Sequence, residues 1–144
     1  MGPGLDERYL EEIRIRVQSS PFHRWAGITL LSVGRGQAEV AMDLGDHHFN
    51  PQGIVHGGVI AAVADTSIGL ALRSILQPGL THRTAQLNVH FLSKGEGTRI
   101  LGHGRSRHLG QRMGYGEAEV SDEDGRLLAR ASATFIVLPA PGAF

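Results

Sequence analysis

A long apolar run between Val59 and Leu76 dominates the hydrophobic pattern of the chain. It follows the segment His56-Gly57-Gly58 and ends at Gln77-Pro78-Gly79. A stretch that is apolar on nearly every side is typical of a helix buried in a core, and Gly and Pro are typical of its ends. The pattern therefore predicts one long core helix that begins at Gly57.

The remaining pattern predicts an amphipathic helix and a series of strands. Apolar residues recur at helical spacing over residues 5–17. Alternation predicts two short strands at 28–33 and 38–42 around a turn at 34–36, and longer strands at 83–92, 99–108, 114–122 and 127–138. Asp124-Gly125 is a strong hairpin signal between the last two. In strand 83–92, Thr84 is predicted on the face opposite Leu87, and residues 139–144 are expected to fray.

This element order predicts an α+β fold, with one antiparallel sheet of five to six strands and the core helix across one face. Alternating βαβ units are absent, which argues against a doubly wound parallel sheet. The 144 residues fit one domain overall. We divide the chain into an N-terminal helical segment (1–20), the main domain (21–138) and a C-terminal tail (139–144).

Charge and composition exclude several classes of function. The chain has 14 Lys and Arg against 14 Asp and Glu, so it lacks the net positive charge expected of a partner of nucleic acid or of an anionic membrane. Between Thr66 and Tyr115, however, seven basic residues accompany a single acidic one, Glu96. That half of the fold should favour an anion such as a phosphate group. The absence of cysteine and of a signal-peptide pattern leads us to expect a cytoplasmic protein.

The start of the predicted core helix has the character of an oxyanion site. The first N–H groups of a helix have no partner within it, and the helix dipole adds roughly +0.5 charge at that end. Gly57 and Gly58 carry no side chain that would keep a carbonyl oxygen away from the backbone. The alternative is an ordinary helix start that contains glycine.

Asp65 is the one carboxylate within the apolar run. Burial of a carboxylate is costly unless it is paired or hydrogen-bonded. A structural role would require a salt bridge to a residue such as Arg83 or a hydrogen bond to Thr84. The functional alternative is a nucleophile or a general base.

Helix geometry separates Gly57 from Asp65. Eight residues of α-helix extend about 12 Å along the axis, so the two residues cannot flank one carbonyl group in the same chain. If both serve one reaction, Asp65 must come from a second copy across a two-fold axis. The functional reading therefore predicts a homodimer with two equivalent sites.

The histidines and loop residues near the helix start give weaker signals. His56 could cap the helix, or it could orient the loop or polarise a carbonyl group, and Asn50 flanks the same segment. His47, His48 and His56 could suggest a metal ion, but no carboxylate pair at ligand spacing accompanies them, so we predict no metal. No phosphate-binding G-x-x-x-x-G-K-[ST] loop and no G-x-S-x-G elbow are present.

Asn50-x-x-Gly53-x-x-His56-Gly57-Gly58, with Asp65 eight residues beyond Gly57 and a strand from Thr84, resembles the hotdog-fold acyl-CoA thioesterases of the phenylacetic-acid-degradation (PaaI-like) type. The likeness covers residues 22–137. It implies a hotdog fold, in which the sheet wraps around the long central helix. It also implies a continuous sheet across a homodimer and pairing of dimers into a homotetramer.

The resemblance also implies a role for each matching residue. Gly57 N–H would polarise the thioester carbonyl, and Asp65 of the partner subunit would attack it or activate water. Asn50 and His56 would position the thioester or the water, and Thr84 would orient the water or the carboxylate. The predicted substrate-binding and coenzyme A-binding residues are Gly58, Phe91, Arg107, His108, Gly110 and Arg112.

The activity implied is hydrolysis of a small aryl- or medium-chain acyl-CoA, as in phenylacetate degradation, with coenzyme A as part of the substrate and no separate cofactor. Two alternatives remain, namely an acyl-CoA dehydratase or hydratase on the same fold that recruits His56, and a non-catalytic acyl-CoA-binding protein. The acyl group itself is not specified, because any of several apolar residues could close its pocket: Phe49, Ile54, Ile68, Leu72 and Phe91.

Overall fold

The structure is a computed structural model that describes residues 6–142. Its helices are α1 (Glu7–Ser19), α2 (Pro21–Ala26) and α3 (Gly57–Arg73), with a short 3-10 helix at Asp46–His48. Its strands are β1 (Ile28–Gly34), β2 (Gln37–Asp43), β3 (Leu80–Phe91), β4 (Arg99–Leu109), β5 (Met113–Asp122) and β6 (Leu127–Pro139). The predicted α+β hotdog fold is confirmed.

All six strands form one antiparallel sheet in the order β1-β2-β4-β5-β6-β3. Alternate residues of β4, β5 and β6 are buried toward α3, as period-2 strands with one covered face require. Strands β1 and β3 are the two edges. Strand β3 has 12 residues, so the chain presents a long unpaired sheet edge.

Helix α3 lies very close to the middle of the sheet because the sheet presents glycines to it. A Cβ on Gly104 would overlap the carbonyl group of Ser67 and would lie 2.6 Å from the backbone nitrogen of Ile68. A Cβ on Gly102 would lie 2.6 Å from the Val63 side chain. This contact, together with the buried apolar residues of α3, forms the core.

The helix boundaries differ slightly from the predictions. Helix α3 begins at Gly57, as predicted, but it ends at Arg73, and residues 74–76 form turns. The apolar character continues there because Leu76 is buried outside the helix. Helix α2 was not predicted. Pro21 occupies its first turn, where proline is tolerated, and Ser20 caps it, so the segment that ends α1 also begins a second helix.

The chain ends are more ordered than expected where they are described. Pro139 belongs to β6, and the Ala140 N–H donates a hydrogen bond to the Gly79 carbonyl at 2.8 Å, so the prediction that the tail frays from residue 139 is wrong there. Leu5 and residues 143–144, also named in the predictions, lie outside the described residues. Among residues 6–142, none of the helices is long and apolar enough to cross a membrane.

Candidate active site

The N-terminus of α3 leaves one backbone donor available. His56 is the N-cap residue, and its Nδ1 accepts a hydrogen bond from Gly58 N–H at 2.8 Å. The carbonyl group of His56 accepts from the N–H groups of Val59 and Ile60. Within residues 6–142, the Gly57 N–H is the donor of this first turn that has no hydrogen-bond partner. Gly57 therefore offers an amide at the positive end of the helix dipole.

The cap also fixes the chemistry of His56. Because Nδ1 accepts a hydrogen bond, the proton of the neutral ring resides on Nε2. The side chain is exposed, so its Nε2–H can donate to a ligand placed over the helix start. Gly58 N–H, by contrast, is already engaged and serves the cap.

Phe91 lies beside the free amide, at the end of β3. A Cβ on Gly57 would lie 3.3 Å from the Phe91 ring, so glycine is what keeps this position open. The ring is 55% exposed. Phe91 thus forms a wall next to the Gly57 N–H.

Asn50 shapes the loop that leads to the helix. Its Oδ1 accepts hydrogen bonds from the N–H groups of Gln52 (2.9 Å) and Ile54 (3.3 Å). Gly53, at φ 78°, takes a left-handed conformation that allows the loop to reverse direction. The Asn50 carbonyl oxygen is therefore committed to the loop, and its Nδ2 amino group remains as a possible donor.

Asp65 lies in the third turn of α3, and its Oδ1 accepts a hydrogen bond of 2.8 Å from Thr84 Oγ1 of β3. No Lys or Arg of the described residues forms a salt bridge with it. Of the two structural roles considered, the Thr84 hydrogen bond is present and the Arg83 salt bridge is absent. A half-buried carboxylate with a single hydrogen-bond donor and no cation retains capacity to accept a proton.

A β-bulge places Thr84 on the same face as Asp65. Thr84 pairs with Phe135 and Leu87 with Ala133, with a register shift between Thr84 and Gln86. Phe135 and Ala133 are two residues apart on β6, so Thr84 and Leu87 share the face that covers α3. The prediction that they lie on opposite faces is wrong, because a bulge inserts one extra residue without a clear signature in this sequence.

Burial raises the pKa of Asp65 above its usual range, and the hydrogen bond from Thr84 lowers it in part. Burial destabilises the carboxylate form, whereas a donated hydrogen bond stabilises it. Asp65 is therefore a stronger base than an exposed aspartate. This is the property expected of a general base or of an activated nucleophile.

The basic residues predicted for coenzyme A lie at the end of the β4–β5 hairpin. Arg107 forms a salt bridge with Glu117 at 3.0 Å between Nε and Oε2, while His108 and Arg112 are exposed. Gly110 N–H donates to the Met113 carbonyl within the turn. None of these four residues has a described contact with Gly57 or Asp65.

The three histidines near the helix start have separate roles. His48 is buried, its Nδ1 accepts from Gly45 N–H at 2.8 Å, and burial lowers its pKa. Its backbone carbonyl accepts from His56 N–H, so it supports the cap. His47 contacts the Trp25 carbonyl instead. Among residues 6–142, no group of three or more His, Asp or Glu side chains is arranged to hold a metal ion.

The structure also contains a cavity that the sequence did not indicate. It has a volume of about 750 Å³, and both Asp65 and Thr84 line it. Residues of α1 line the same cavity. The hydrophobic pattern predicts that α1 buries one face, but it carries no signal for which part of the fold that face covers.

Comparison with known proteins identifies the family. The model of the thioesterase superfamily matches residues 52–129, which include the helix start, Asp65 and Thr84. The chain is 29% identical over 139 residues to the medium/long-chain acyl-CoA thioesterase YigI of Salmonella typhimurium. That alignment covers 84% of this chain and 88% of YigI. It is 23% identical over 111 residues to the 1,4-dihydroxy-2-naphthoyl-CoA hydrolase of Listeria monocytogenes. This second alignment covers 77% of this chain and 90% of the hydrolase.

The fold has solved counterparts. The PaaI protein of E. coli, from the phenylacetic acid degradation operon, superimposes with a TM-score of 0.84 over 97% of this chain and 99% of that one, at 20% identity. At this identity the likeness to PaaI shows a shared fold, whereas the family match covers the segment that carries the candidate site. The chain therefore belongs to the thioesterase superfamily, and it is an enzyme with the PaaI-like hotdog fold.

Proposed function

We propose that this protein hydrolyses the thioester bond of an acyl-CoA, with water, to a free acid and coenzyme A, and that the acyl group is a small aryl or medium-chain group. In this proposal each active site contains Gly57 of one protomer and Asp65 of the partner subunit. Coenzyme A enters as part of the substrate, and no separate cofactor takes part.

The observation that carries the proposal is the free N–H of Gly57. The His56 cap satisfies the next donor, Gly58 N–H, and leaves the Gly57 amide without a partner among residues 6–142, at the positive end of a 17-residue helix. Such a donor stabilises the negative charge that develops on the carbonyl oxygen during attack on a thioester. A thiolate is a good leaving group, so a carboxylate and an oxyanion donor are sufficient chemistry.

Asp65 supplies the second requirement, with two possible steps. It can accept a proton from water as the water oxygen forms its bond to the carbonyl carbon, or it can attack that carbon itself and form an anhydride that water then opens. In both cases the carbon–sulfur bond breaks and the thiolate leaves. The raised pKa of Asp65 supports both steps, because a more basic carboxylate is a better proton acceptor and a better nucleophile.

The activities named for two relatives support the proposed substrate class. YigI is a medium/long-chain acyl-CoA thioesterase and the Listeria relative acts on an aryl-CoA, so the family segment is associated with both kinds of acyl group. Phenylacetate degradation is part of the proposal because the motif from Asn50 to Asp65 resembles that of the PaaI-like thioesterases.

The proposal also assigns roles to residues around Gly57 and Asp65. His56 Nε2 and Asn50 Nδ2 would position the thioester or the water, with Phe91 as a wall and Gly58 as part of the cap. The coenzyme A phosphates would contact Arg107, His108, Gly110 and Arg112. We further propose that the dimers pair into a homotetramer and that the enzyme acts in the cytoplasm.

The test is the Asp65→Asn variant, assayed for free thiol release with phenylacetyl-CoA, hydroxybenzoyl-CoA and straight-chain acyl-CoA esters. We expect kcat to fall roughly 10²–10⁴-fold, because the amide cannot accept the proton or attack. Asp124→Asn, the same chemical change at an exposed turn residue, is the matched control and should keep wild-type kcat.

Other outcomes would favour the alternatives. Near-normal turnover by Asp65→Asn would remove Asp65 from the mechanism. A change in double-bond absorbance without thiol release would indicate a dehydratase or hydratase. Saturable binding of acyl-CoA by the wild type without any turnover would indicate a binding protein.

A further inference from the structure

The cavity of about 750 Å³ beside Asp65 is closed on one side by α1. Tyr9, Ile13 and Val17 recur every four residues on this helix, and all three line the cavity. Ile13 and Val17 are each 3% exposed, so α1 is anchored in the core. Since Asp65 and Thr84 line the same cavity, α1 covers the space into which the candidate carboxylate faces.

A network of hydrogen bonds holds α1 in place at the far end of the cavity. The Tyr9 hydroxyl donates to the Arg73 carbonyl at 2.7 Å. The Arg73 guanidinium donates to the Leu80 carbonyl (2.9 Å) and to Thr81 Oγ1 (2.8 Å). Tyr9 therefore lies at a junction of α1, α3 and β3, where its ring position is well defined.

The inner wall of the cavity carries two charged side chains, Asp65 and the half-buried Arg73, whose guanidinium is hydrogen-bonded to Leu80 and Thr81. Gly69, Leu70 and Phe135 contribute to it. Burial lowers the pKa of His82 to about 4, so this residue is neutral at neutral pH. The charged side chains that line the cavity from α1, Asp6, Arg8, Glu12 and Arg16, are exposed and lie at its rim.

The dimensions match an apolar ligand of limited length. From Asp65 to Arg73, α3 advances about two turns, or about 12 Å. The volume lies in the range of roughly 300–1,000 Å³ that is typical of small-molecule pockets. A straight acyl chain of medium length or a substituted aromatic ring would fit within this space.

We propose that α1 forms the roof of the acyl pocket, so that the acyl group extends from Asp65 along α3 beneath Tyr9, and that Tyr9 and Leu70 determine the acyl length. This inference rests on the proposed thioesterase activity and adds the location of the acyl pocket and the residues that limit the length of the acyl group. The scissile carbonyl lies at the Asp65–Thr84 end, and the far end of the acyl group approaches the Tyr9–Arg73 junction.

The test compares chain-length profiles of two variants with opposite effects. Leu70→Trp adds bulk to the inner wall, and we expect the ratio of kcat/KM for dodecanoyl-CoA to that for butyryl-CoA to fall at least about tenfold. Tyr9→Ala removes bulk at the far end, and we expect the ratio for hexadecanoyl-CoA to dodecanoyl-CoA to rise about fivefold or more. Each ratio is internal to one variant, so a general loss of active protein cancels.

Glu11→Ala is the matched control, because Glu11 is exposed on α1 and does not line this cavity. Its profile should match the wild type. Ratios within twofold of the wild type in both Leu70→Trp and Tyr9→Ala would overturn the inference. Failure of the wild type to release thiol from any ester would instead overturn the proposed activity, so the two failures are distinguishable. If Leu70→Trp does not fold, the Tyr9→Ala ratio alone decides.

Discussion

At the scale of single residues, the candidate chemistry depends on which polar groups are already engaged. His56 Nδ1 accepts a hydrogen bond from Gly58 N–H, and within the part of the chain that the structure describes the Gly57 N–H has no partner. Thr84 donates one hydrogen bond to Asp65, and no described cation pairs with the carboxylate. The free amide and the incompletely paired carboxylate are thus two groups with remaining capacity to bind a reacting ester or water.

The pH dependence of activity tests the Asp65–Thr84 pair. Asp65 acts in its ionised form, so activity should fall as pH falls through its raised pKa. Thr84→Val removes the donor that stabilises the carboxylate. The pKa of Asp65 should then rise further, and the acid limb of the kcat/KM profile should move to higher pH.

Thr84→Ser keeps the hydroxyl group and is the control for this change. Its acid limb should coincide with that of the wild type. An acid limb that is identical in Thr84→Val and the wild type would show that another group controls the profile. A movement to lower pH would contradict the assigned direction of the hydrogen bond.

The sequence indicated the candidate residues of the site better than it indicated their orientation. A carboxylate in an apolar helix and a glycine at its start are visible in the composition of one segment. The sequence did not predict the face on which Thr84 lies, because the register shift between Thr84 and Gln86 reverses the alternation that the sequence indicates. The engagement of Gly58 N–H by His56 depends on a side-chain rotamer, which no periodicity specifies.

At the scale of elements, the position of the site depends on how closely α3 approaches β4. Gly104 is in contact with the backbone of α3, with no space for a Cβ next to Ser67. Backbone atoms cannot move aside as the end of a side chain can. The sheet glycines therefore determine the distance between α3 and the sheet, and with it the position of Asp65 over β3.

We expect Gly104→Ala to destabilise the fold strongly. Overpacking costs typically 1–3 kcal/mol, and contact with backbone places this case at the upper end or beyond. Denaturant unfolding measures the change. Gly110→Ala is the control, because a Cβ there would lie 3.4 Å from its nearest neighbours and its φ lies outside the left-handed region. Equal loss of stability in both variants would contradict the close-approach argument.

The elements differ in how far the sequence predicts them. Helix α3 and the later strands follow from strong periodicity and from clear Gly and Pro boundaries. Helix α2 was missed because six residues give too little periodicity and because Ser20-Pro21 serves equally as a stop and as a start. The placement of α1 over the Asp65 cavity depends on tertiary contacts such as Tyr9 with Arg73, which lie 64 residues apart.

At the scale of the whole molecule, two features support the proposed dimer. Gly57 and Asp65 lie eight residues apart on the continuous helix α3, so one thioester cannot contact both within a protomer. Among residues 6–142, strand β3 also has no neighbouring strand on its outer edge. A two-fold arrangement that pairs the β3 edges would cover this edge and would bring α3 of one protomer beside α3 of the other.

A mixed dimer tests the shared site directly. Asp65→Asn and Gly57→Val should each be nearly inactive alone, and the exposed Phe91 ring can move to accept the valine. When the two variants carry different affinity tags and are isolated as a mixed dimer, one site combines an intact Gly57 with an intact Asp65. We expect about half of the wild-type kcat per dimer, because the second site contains both substitutions.

The complementary mixed dimer gives the opposite expectation. A wild-type protomer paired with an Asp65→Asn/Gly57→Val double variant has one defect in each shared site, so it should be nearly inactive. If each site lay within a single protomer, this second dimer would have half activity and the first would have none. The two mixed dimers therefore have opposite expected activities under the two models. Thiol release from the isolated mixed dimers decides between a site shared across the α3 pair and a site within one chain.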